Sequence, residues 1–414
     1  KETMTIQQHA SFDSSVAELN ATSKLVKAWE SKNAKNAAKA GGISLMALSL
    51  AACGGSSTTT TTTPVVESPA ADAPVNKSLT TDVAAVEGGS GVDTFSGTIS
   101  GTAPTIQAGD SIDGKGGADT LTVSVSGTAA VTMAGVSVSN VETVRVADVT
   151  TAGTTTINLA GQTGISTLES LGSAQGGLLT FTNVDAPAAL ALSNTSGAGT
   201  VSVVYKATAV AGTEAQTINL TNAAATGTVT IGSVENVTIN SASASSLNLV
   251  SSAAQSITIN GGAEANTIDL SSLGATKLTT VDASGSTGAQ TITVDFGDDS
   301  AVDGGMTVTG GSGADVFKLS AAMGDTDTLN GGDGIDTISV TSTTNTTTAS
   351  IASDKATITS VEVLSLTASN DVGGASADDY VIDFDLVEGV ESVTLVAKDD
   401  DTQNDFDLDD MNST

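Results

Sequence analysis

The sequence has very few of the residues that build most catalytic sites and disulfide frameworks. In 414 residues there are one cysteine, one histidine, one tryptophan and two tyrosines. A single cysteine excludes an internal disulfide framework. The only histidine, His9, lies far from most of the chain, so a nucleophilic triad and a Cys/His zinc site are also excluded. With neither a P-loop nor a dinucleotide fingerprint, the chain is predicted not to be an enzyme.

Basic residues are also scarce. The chain has 14 Lys and Arg against 46 Asp and Glu, a formal net charge of −32. Residues 1–40 hold six lysines and four acids, so the remainder has a charge of −34. Nucleic acid is excluded as a partner because phosphate binding needs a basic surface. An acidic body of this kind needs divalent cations or salt to relieve its self-repulsion. Apolar runs stay below the roughly 18 residues of a membrane-spanning helix.

Four glycine-rich turns follow the pattern G-G-x-G-x-D-x-U, where U is a large apolar residue. Three match fully and begin at Gly88, Gly310 and Gly331; the fourth begins at Gly114 and has Lys115 in place of the second glycine. Glycines allow positive φ angles that turn carbonyl oxygens inward, and the aspartate adds a carboxylate. Such an oxygen-rich turn suits calcium. The order of residues around the first two turns recurs around the last two, which indicates an internal repeat.

These turns resemble the calcium-binding nonapeptides of RTX (repeats-in-toxin) proteins, which form a parallel β-roll. RTX proteins stack many nonapeptides in tandem, whereas the motifs here are single and separated by tens of residues. The resemblance implies calcium as the cofactor. It assigns the following residues to calcium: Gly88, Gly89, Gly91, Asp93, Gly116, Gly117, Asp119, Gly310, Gly311, Gly313, Asp315, Gly331, Gly332, Asp333, Gly334 and Asp336.

Short strands with period-two alternation fill the centre of the chain. Between residues 216 and 296, apolar-x-apolar triplets recur about every ten residues, and one longer interval has room for a further strand at Leu278 and Val281. The pattern predicts an all-β fold, an elongated β-solenoid or β-roll with one strand per turn. Tandem antiparallel β-sandwiches are the alternative, because they space short strands similarly.

A second signature places one glutamate between apolar residues just before a strand. It occurs at Glu142, Glu235, Glu362 and Glu391. The glutamate is interpreted as a solvated turn charge, with a cation ligand or a lateral contact as alternatives. The order of turn, strand and V-E strand over residues 80–400 resembles bacterial β-strand-repeat surface proteins.

The two ends of the chain differ from the body. Residues 13–40 are predicted to form a short α-helical segment, with a capping box at Ser15 and Glu18. The run that ends Leu-Ala-Ala-Cys53 resembles a bacterial lipoprotein signal, which implies lipidation of Cys53; a helical anchor is the alternative. The predicted divisions are 1–55 (leader or anchor), 56–80 (Thr/Pro-rich linker), 81–215, 216–300 and 301–400 (β-repeat regions), and 401–414 (acidic tail).

Together these features predict a non-enzymatic, calcium-stabilised structural protein outside the cell. The resemblances imply the surface of a Gram-negative bacterium, as a surface-layer or adhesin component. Expected partners are further copies of the chain, a surface polysaccharide or a host receptor, and the membrane only through a lipid on Cys53. A phage virion fibre or decoration protein anchored by an uncleaved N-terminal segment is the alternative. A polysaccharide-binding protein or lyase is a lesser one.

Overall fold

A computed structural model describes residues 73–409, apart from 175, 198, 274–276, 298–304, 343–348, 351–355, 369–379, 384–389 and 398–405. The predicted leader helix, the lipidation site at Cys53 and most of the linker lie outside the described residues. The strands of the described part are, in chain order, β1 (Asn76–Ser78), β2 (Ala85–Glu87), β3 (Thr94–Thr98), β4 (Ser111–Asp113), β5 (Thr120–Val125), β6 (Val131–Met133), β7 (Ser137–Ser139), β8 (Thr143–Asp148), β9 (Thr154–Asn158), β10 (Thr167–Leu171), β11 (Leu178–Val184), β12 (Ala189–Ser193), β13 (Ser196–Gly197), β14 (Thr200–Tyr205), β15 (Ala215–Thr221), β16 (Ala224–Ile231), β17 (Asn236–Ser241), β18 (Ser246–Ser251), β19 (Ser256–Asn260), β20 (Asn266–Asp269), β21 (Thr280–Asp282), β22 (Gln290–Val294), β23 (Thr307–Thr309), β24 (Val316–Leu319), β25 (Thr328–Asn330), β26 (Thr337–Ser342), β27 (Ala349–Ser350), β28 (Thr357–Thr359), β29 (Val363–Ala368), β30 (Tyr380–Asp383), β31 (Ser392–Ala397) and β32 (Phe406–Asp409). Two short 3-10 helices, Ala207–Ala209 and Ser271–Leu273, interrupt them.

These strands stack as a β-solenoid of about 11 turns, which confirms the predicted fold class. The first long sheet has the order β1-β3-β5-β8-β10-β12-β15-β17-β19-β21-β23-β25-β28, and the second runs from β31 to β6 through the intervening strands. A short sheet, β2-β4-β7, adds a third face near the beginning, and β27-β30-β32 adds one near the end. All these pairings are parallel, which excludes the antiparallel sandwich.

The prediction of one strand per turn is wrong. Consecutive strands of the central region alternate between the two long sheets, so Ile218 pairs with Ile239 and Ile239 with Ile259, about two ten-residue steps apart. The physical reason is the size of the core. Two sheets pack about 10 Å apart, and ten residues cannot cross one sheet, turn two corners and cross the other. The further strand expected near Leu278 and Val281 is present as β21.

Alternating apolar residues fill the space between the sheets. Four residues on adjacent turns of the first long sheet are fully buried, each 0% exposed: Leu121, Val144, Leu168 and Leu190. Phe95, Phe181 and Phe317 are the largest of the fully buried side chains in the described part. Leucine, isoleucine and valine therefore supply most of the core, which is consistent with the 2% aromatic content.

Asparagines stack outside the first long sheet. The Nδ2 atom of Asn240 donates to Asn219 Oδ1 at 3.0 Å, and Asn260 Nδ2 donates to Asn240 Oδ1 at 2.9 Å. Stacking of identical side chains at the inter-strand spacing pairs every amide with the turns before and after it. The polar residues that alternate with the core residues thus help hold neighbouring turns in register.

Two boundaries differ from the expected divisions. Strand β1 begins at Asn76, inside the stretch predicted as linker. In the stretch predicted as the acidic tail, Phe406–Asp409 forms strand β32 and pairs with β30.

Gln162 closes the edge of the N-terminal short sheet. Its Nε2 atom donates at 2.6 Å to the carbonyl of Val136, the residue just before strand β7. Its Oε1 atom accepts from the backbone N–H of Val138, within β7. The side chain is 4% exposed. Its amide therefore occupies the place of the next strand and satisfies groups that an open edge would leave unpaired.

Candidate functional site: two ladders of acidic turns

The four glycine-rich motifs lie in two stacked pairs. The motifs ending at Asp93 and Asp119 lead into β3 and β5, which are neighbours in the first long sheet. Those ending at Asp315 and Asp336 lead into β24 and β26, neighbours in the second long sheet. The interval of tens of residues between motifs is one solenoid turn. The motifs are single in the sequence, but in the structure each pair stacks like two successive turns of a β-roll.

Within each pair, aspartates are joined through the backbone. The N–H of Asp93 donates to Asp119 Oδ1 at 2.6 Å, and the N–H of Asp315 donates to Asp336 Oδ1 at 2.7 Å. All four side chains are 0% exposed. Each carboxylate thus satisfies the N–H that enters the strand of the preceding turn, a donor that would otherwise be buried without a partner.

The V-E signature continues these ladders. Glu142 Oε2 accepts from the N–H of Asp119 at 2.7 Å, and Glu362 Oε2 accepts from the N–H of Asp336 at 2.7 Å. Glu235 makes the same contact with the N–H of Glu214 at 3.0 Å. The interpretation of these glutamates as solvated turn charges is wrong, because burial of the preceding strand end leaves a donor that needs an acceptor. Only Glu391 is exposed. The first ladder is Asp93–Asp119–Glu142 and the second ladder is Asp315–Asp336–Glu362.

The first aspartate of each ladder has partners for both oxygens. Asp93 Oδ1 accepts from the N–H of Val75 at 2.7 Å, and its Oδ2 accepts from Gly89 N–H at 2.5 Å. In the second ladder, Asp315 Oδ1 and Oδ2 accept at 2.7 Å from the N–H groups of Gln290 and Gly311. Each oxygen of Asp93 and of Asp315 therefore has a backbone N–H partner.

The second aspartate of each ladder is different, because its Oδ2 atom is buried without a hydrogen-bond partner. This holds for Asp119 and for Asp336. In the first turn of each ladder, the N–H of the second motif residue donates to the Oδ2 atom of the aspartate. In the second turn of the first ladder, the corresponding N–H, that of Lys115, donates instead to Asp113 Oδ1 at 3.0 Å. In the second ladder the N–H of Gly332 donates to Asn330 Oδ1 at 3.1 Å. An Asp or Asn just before the motif thus leaves one carboxylate oxygen free inside the turn.

Backbone angles change with this diversion. Lys115 and Gly332 have φ of +69° and +104°, and the glycines two residues later, Gly117 and Gly334, have φ of +127° and +130°. A Cβ on Gly117 would lie 2.0 Å from the Gly91 carbonyl oxygen, and one on Gly334 would lie 2.3 Å from that of Gly313. Only glycine fits, and carbonyl oxygens of the first turn consequently point toward the second.

Burial raises the pKa values of Asp119, Asp315 and Asp336. Desolvation raises the pKa of Asp336 to about 6, and the charges of Asp315, Glu362 and Asp333 add to the rise, while the Asp315 N–H opposes it. Desolvation also raises the pKa of Asp119 and that of Asp315. A cation beside the free oxygens would favour their ionised forms.

The structure separates the calcium residues that the resemblance implied into distinct groups. The glycines form the stacked turns, Asp119 and Asp336 each present a free oxygen, and Asp93 and Asp315 do not. Asp333 is exposed. Within the described ranges, no three His, Cys, Asp or Glu side chains lie together as a metal cluster. A calcium ion fits this donor set only if one carboxylate oxygen is combined with backbone carbonyls.

Among the buried acids that the sequence did not single out are Asp110 and Asp327. Asp110 Oδ1 and Oδ2 accept from the N–H groups of Ala84 and Gln107 at 2.9 and 2.7 Å. Asp327 accepts from the N–H groups of Met306 and Gly324 at 2.6 and 2.7 Å. They occupy matching places in the two copies of the internal repeat. Aligning the two copies could therefore have identified them from the sequence. With all oxygens occupied, they stabilise the corners of the solenoid.

A separate cleft of about 380 Å³ lies beside the end of the N-terminal short sheet. Leu159, Ile165 and Val184 line it together with Gln162 and Asp185. Its lining contains no aromatic side chain on which a sugar ring could stack.

Comparison with known proteins adds no relative. Neither a protein-family model nor a curated protein matches this chain. Within the described residues, no helix is long and apolar enough to cross a membrane.

Proposed function

We propose that this chain is a non-enzymatic structural protein of a bacterial cell surface, of the surface-layer or adhesin type, and that calcium stabilises its β-solenoid. The observation that carries the proposal is the free, buried Oδ2 atom at the same place in each ladder, in Asp119 and in Asp336. An ionised carboxylate removed from water without a partner is costly. A cation that supplies the missing partner therefore stabilises the folded state.

Calcium is the cation that this chemistry favours. It takes six to eight oxygen ligands in flexible geometry, including carboxylates and backbone carbonyls, whereas magnesium demands a stricter octahedron. Asp119 and Asp336, together with carbonyls of the adjoining glycine turns, are the proposed ligands. Asp93 and Asp315 hold adjacent turns in register through their backbone contacts, so their contribution is to position the site.

Ion binding and folding are then a single event. The proposed ligands come from turns separated by 26 residues in the first ladder and by 21 in the second, and they meet only when the turns stack. A ligand that binds the folded state alone stabilises it by mass action. The strongly acidic chain is expected to expand where calcium is scarce and to become rigid where calcium is plentiful, outside the cell.

The surface assignment rests on the sequence around Cys53. We propose that lipidation of Cys53 anchors the chain to the outer membrane and that the Thr-rich linker separates the solenoid from the lipid. Further copies of the chain are the proposed partners. Mass spectrometry of the natively isolated protein tests the anchor: an acylated N-terminus at Cys53 supports it, whereas an intact leader contradicts it and favours the virion alternative.

Thermal melting of the full chain, followed by circular dichroism, tests the calcium role. Calcium is expected to raise the melting temperature relative to excess EGTA, and magnesium at the same concentration to raise it less. The double variant Asp119→Asn/Asp336→Asn should lose the calcium response while keeping each Oδ1 contact. Identical melting of the wild type in calcium and in EGTA would refute the calcium role.

A further inference from the structure

The second ladder is the end of a longer series, the corner series, which has one residue in each turn at the corner before the second long sheet. Hydrogen bonds between neighbouring turns define it: Ala224 N–H, for example, donates to the Thr195 carbonyl at 3.0 Å and so places residue 223 next to residue 195. Strand pairing continues the series to Asp315. The members before Asp315 are all buried: Asp148, Ser173, Thr195, Ala223, Ser245, Asn266 and Gln290.

Side-chain oxygens of the corner series accept the backbone N–H of the preceding member. Ser173 Oγ accepts from Asp148 N–H at 3.1 Å, Ser245 Oγ from Ala223 N–H at 3.3 Å, and Asn266 Oδ1 from Ser245 N–H at 3.1 Å. These contacts are of the same kind as those of the second ladder. Because the corner is buried, each turn needs an oxygen here to satisfy the N–H of the turn before it.

The corner series is interrupted at Thr195 and Ala223. The side chain of Ala223 has no oxygen that could accept the N–H of Thr195. Thr195 is only 8% exposed, and its Oγ1 atom is buried without a hydrogen-bond partner. A buried hydroxyl that makes no hydrogen bond costs free energy. The corner therefore needs both an acceptor and a partner for a hydroxyl group at this point, and its own side chains supply neither.

A cavity of about 20 Å³ lies at the interruption. The hydroxyl-bearing residues Ser170, Ser173, Thr195 and Thr228 line it together with apolar residues such as Val201. One water molecule needs a cavity of roughly 10 to 15 Å³ and two to four polar partners. The described residues that line the cavity carry no charge, so the wall suits a neutral ligand better than a metal ion.

We propose that one water molecule is bound in this cavity and completes the corner series, by accepting the Thr195 N–H and by hydrogen bonding to Thr195 Oγ1. Water both donates and accepts, so one molecule replaces the oxygen that Ala223 lacks and also serves the threonine hydroxyl. Ser170 offers a further contact, because its Oγ atom donates to Ser173 Oγ at 2.8 Å and keeps lone pairs that can accept from the water. The inference does not depend on calcium binding by the ladders.

Crystallography of the full chain tests the site directly. A water oxygen is expected about 2.7 to 3.2 Å from Thr195 Oγ1. A cavity without ordered water would overturn the inference. A metal ion at about 2.3 to 2.6 Å from the same atom would overturn it as well.

Hydrogen exchange of the residue 195 amide tests the bridge in solution, using the full chain. Thr195→Val keeps the shape of the side chain but removes the hydroxyl that holds the water, so exchange should become about two- to tenfold faster, the effect of one net hydrogen bond. Thr195→Ser, the matched control, keeps the hydroxyl and should exchange like the wild type.

Ala223→Ser distinguishes a water bridge from a general loosening of the corner. It supplies the missing side-chain oxygen, as Ser245 does in the next turn, so Thr195→Val in this background should change exchange little. Acceleration of equal size in both backgrounds would contradict the bridge. An unchanged rate in the single variant Thr195→Val would contradict it too.

Discussion

Replacing Asp336 by asparagine tests directly whether the buried carboxylate needs a cation. The asparagine retains an Oδ1 atom for the Asp315 N–H, which lies 2.7 Å away, and replaces the unpartnered Oδ2 by an uncharged amide. In chelator at neutral pH, the wild type must bury an ionised carboxylate with one free oxygen. The variant does not, so it is expected to be the more stable protein under these conditions.

The raised pKa of Asp336 sets the magnitude and the pH range. Burial raises this pKa from 3.8 to about 6, so the folded state binds the proton more tightly than the unfolded chain does. The resulting stabilisation of the folded state is complete when the pH is below 3.8, the pKa of the unfolded chain, and it is lost as the pH rises through about 6. A shift of this size corresponds to at most about 3 kcal/mol. Allowing for solvent near the turn, we expect about 1 to 3 kcal/mol.

Urea unfolding, followed by circular dichroism, provides the measurement. In EGTA at about pH 8, Asp336→Asn should exceed the wild type by about 1 to 3 kcal/mol, and near pH 4 the difference should be small because the carboxyl is largely protonated. In excess calcium the order should reverse, because only the wild type gains the ion. Hydrogen exchange of the Asp315 amide gives a local readout if the repeat does not unfold in two states.

Asp315→Asn is the matched control. Both oxygens of Asp315 accept a backbone N–H, so this variant should be destabilised by about 1 to 3 kcal/mol, with or without calcium, as a buried donor loses its acceptor. If Asp336→Asn is destabilised in EGTA like Asp315→Asn, then the Asp336 Oδ2 atom has a partner in solution. That outcome would refute the reasoning.

Three further outcomes are expected. Glu362→Ala should cost about 1 to 3 kcal/mol in urea unfolding and speed exchange of the Asp336 amide, because that N–H loses its acceptor, whereas Glu362→Gln should retain most of the protection. Gln162→Ala should open the edge of β7 and increase association in size-exclusion chromatography with light scattering, while Gln162→Asn, too short to reach both partners, should behave like the alanine variant. Phe181→Ala should lower stability by about 3 to 5 kcal/mol by leaving a cavity at a fully buried position, and an unchanged urea midpoint would contradict the assigned core.

Much of the fold was predictable from the sequence because its signals are local. Alternation at Ile218 and Leu220 indicated an inward face, and the low aromatic content favoured thin layers of aliphatic side chains. The number of strands per turn was not predictable from the ten-residue step. A strand has the same alternation of apolar and polar residues whichever of the two sheets it joins. A spacing of ten residues between strands is therefore compatible with either one strand or two strands in each turn of the solenoid.

The candidate site was predictable in its composition but not in its connections. The motifs identified Asp119 and Asp336, yet no residue that their two motifs share sets them apart from the motif of Asp93. The difference arises from a residue outside the motif, Asp113 or Asn330, whose side chain diverts a turn N–H. The ladder role of the V-E glutamates was likewise not recognisable, because their partners lie a full turn away.

The sequence by itself determined what depends on neighbouring residues: glycine turns, short strands, their inward faces and an acidic surface. The tertiary structure alone decided which turns are neighbours, and so which carboxylates are saturated and which keep a free oxygen. The physical reason is that hydrogen bonds between neighbouring turns join residues a whole turn apart in sequence. The Asp315 N–H, for example, donates to the carboxylate of Asp336, 21 residues along the chain. Such a contact forms only when the solenoid has closed around its core.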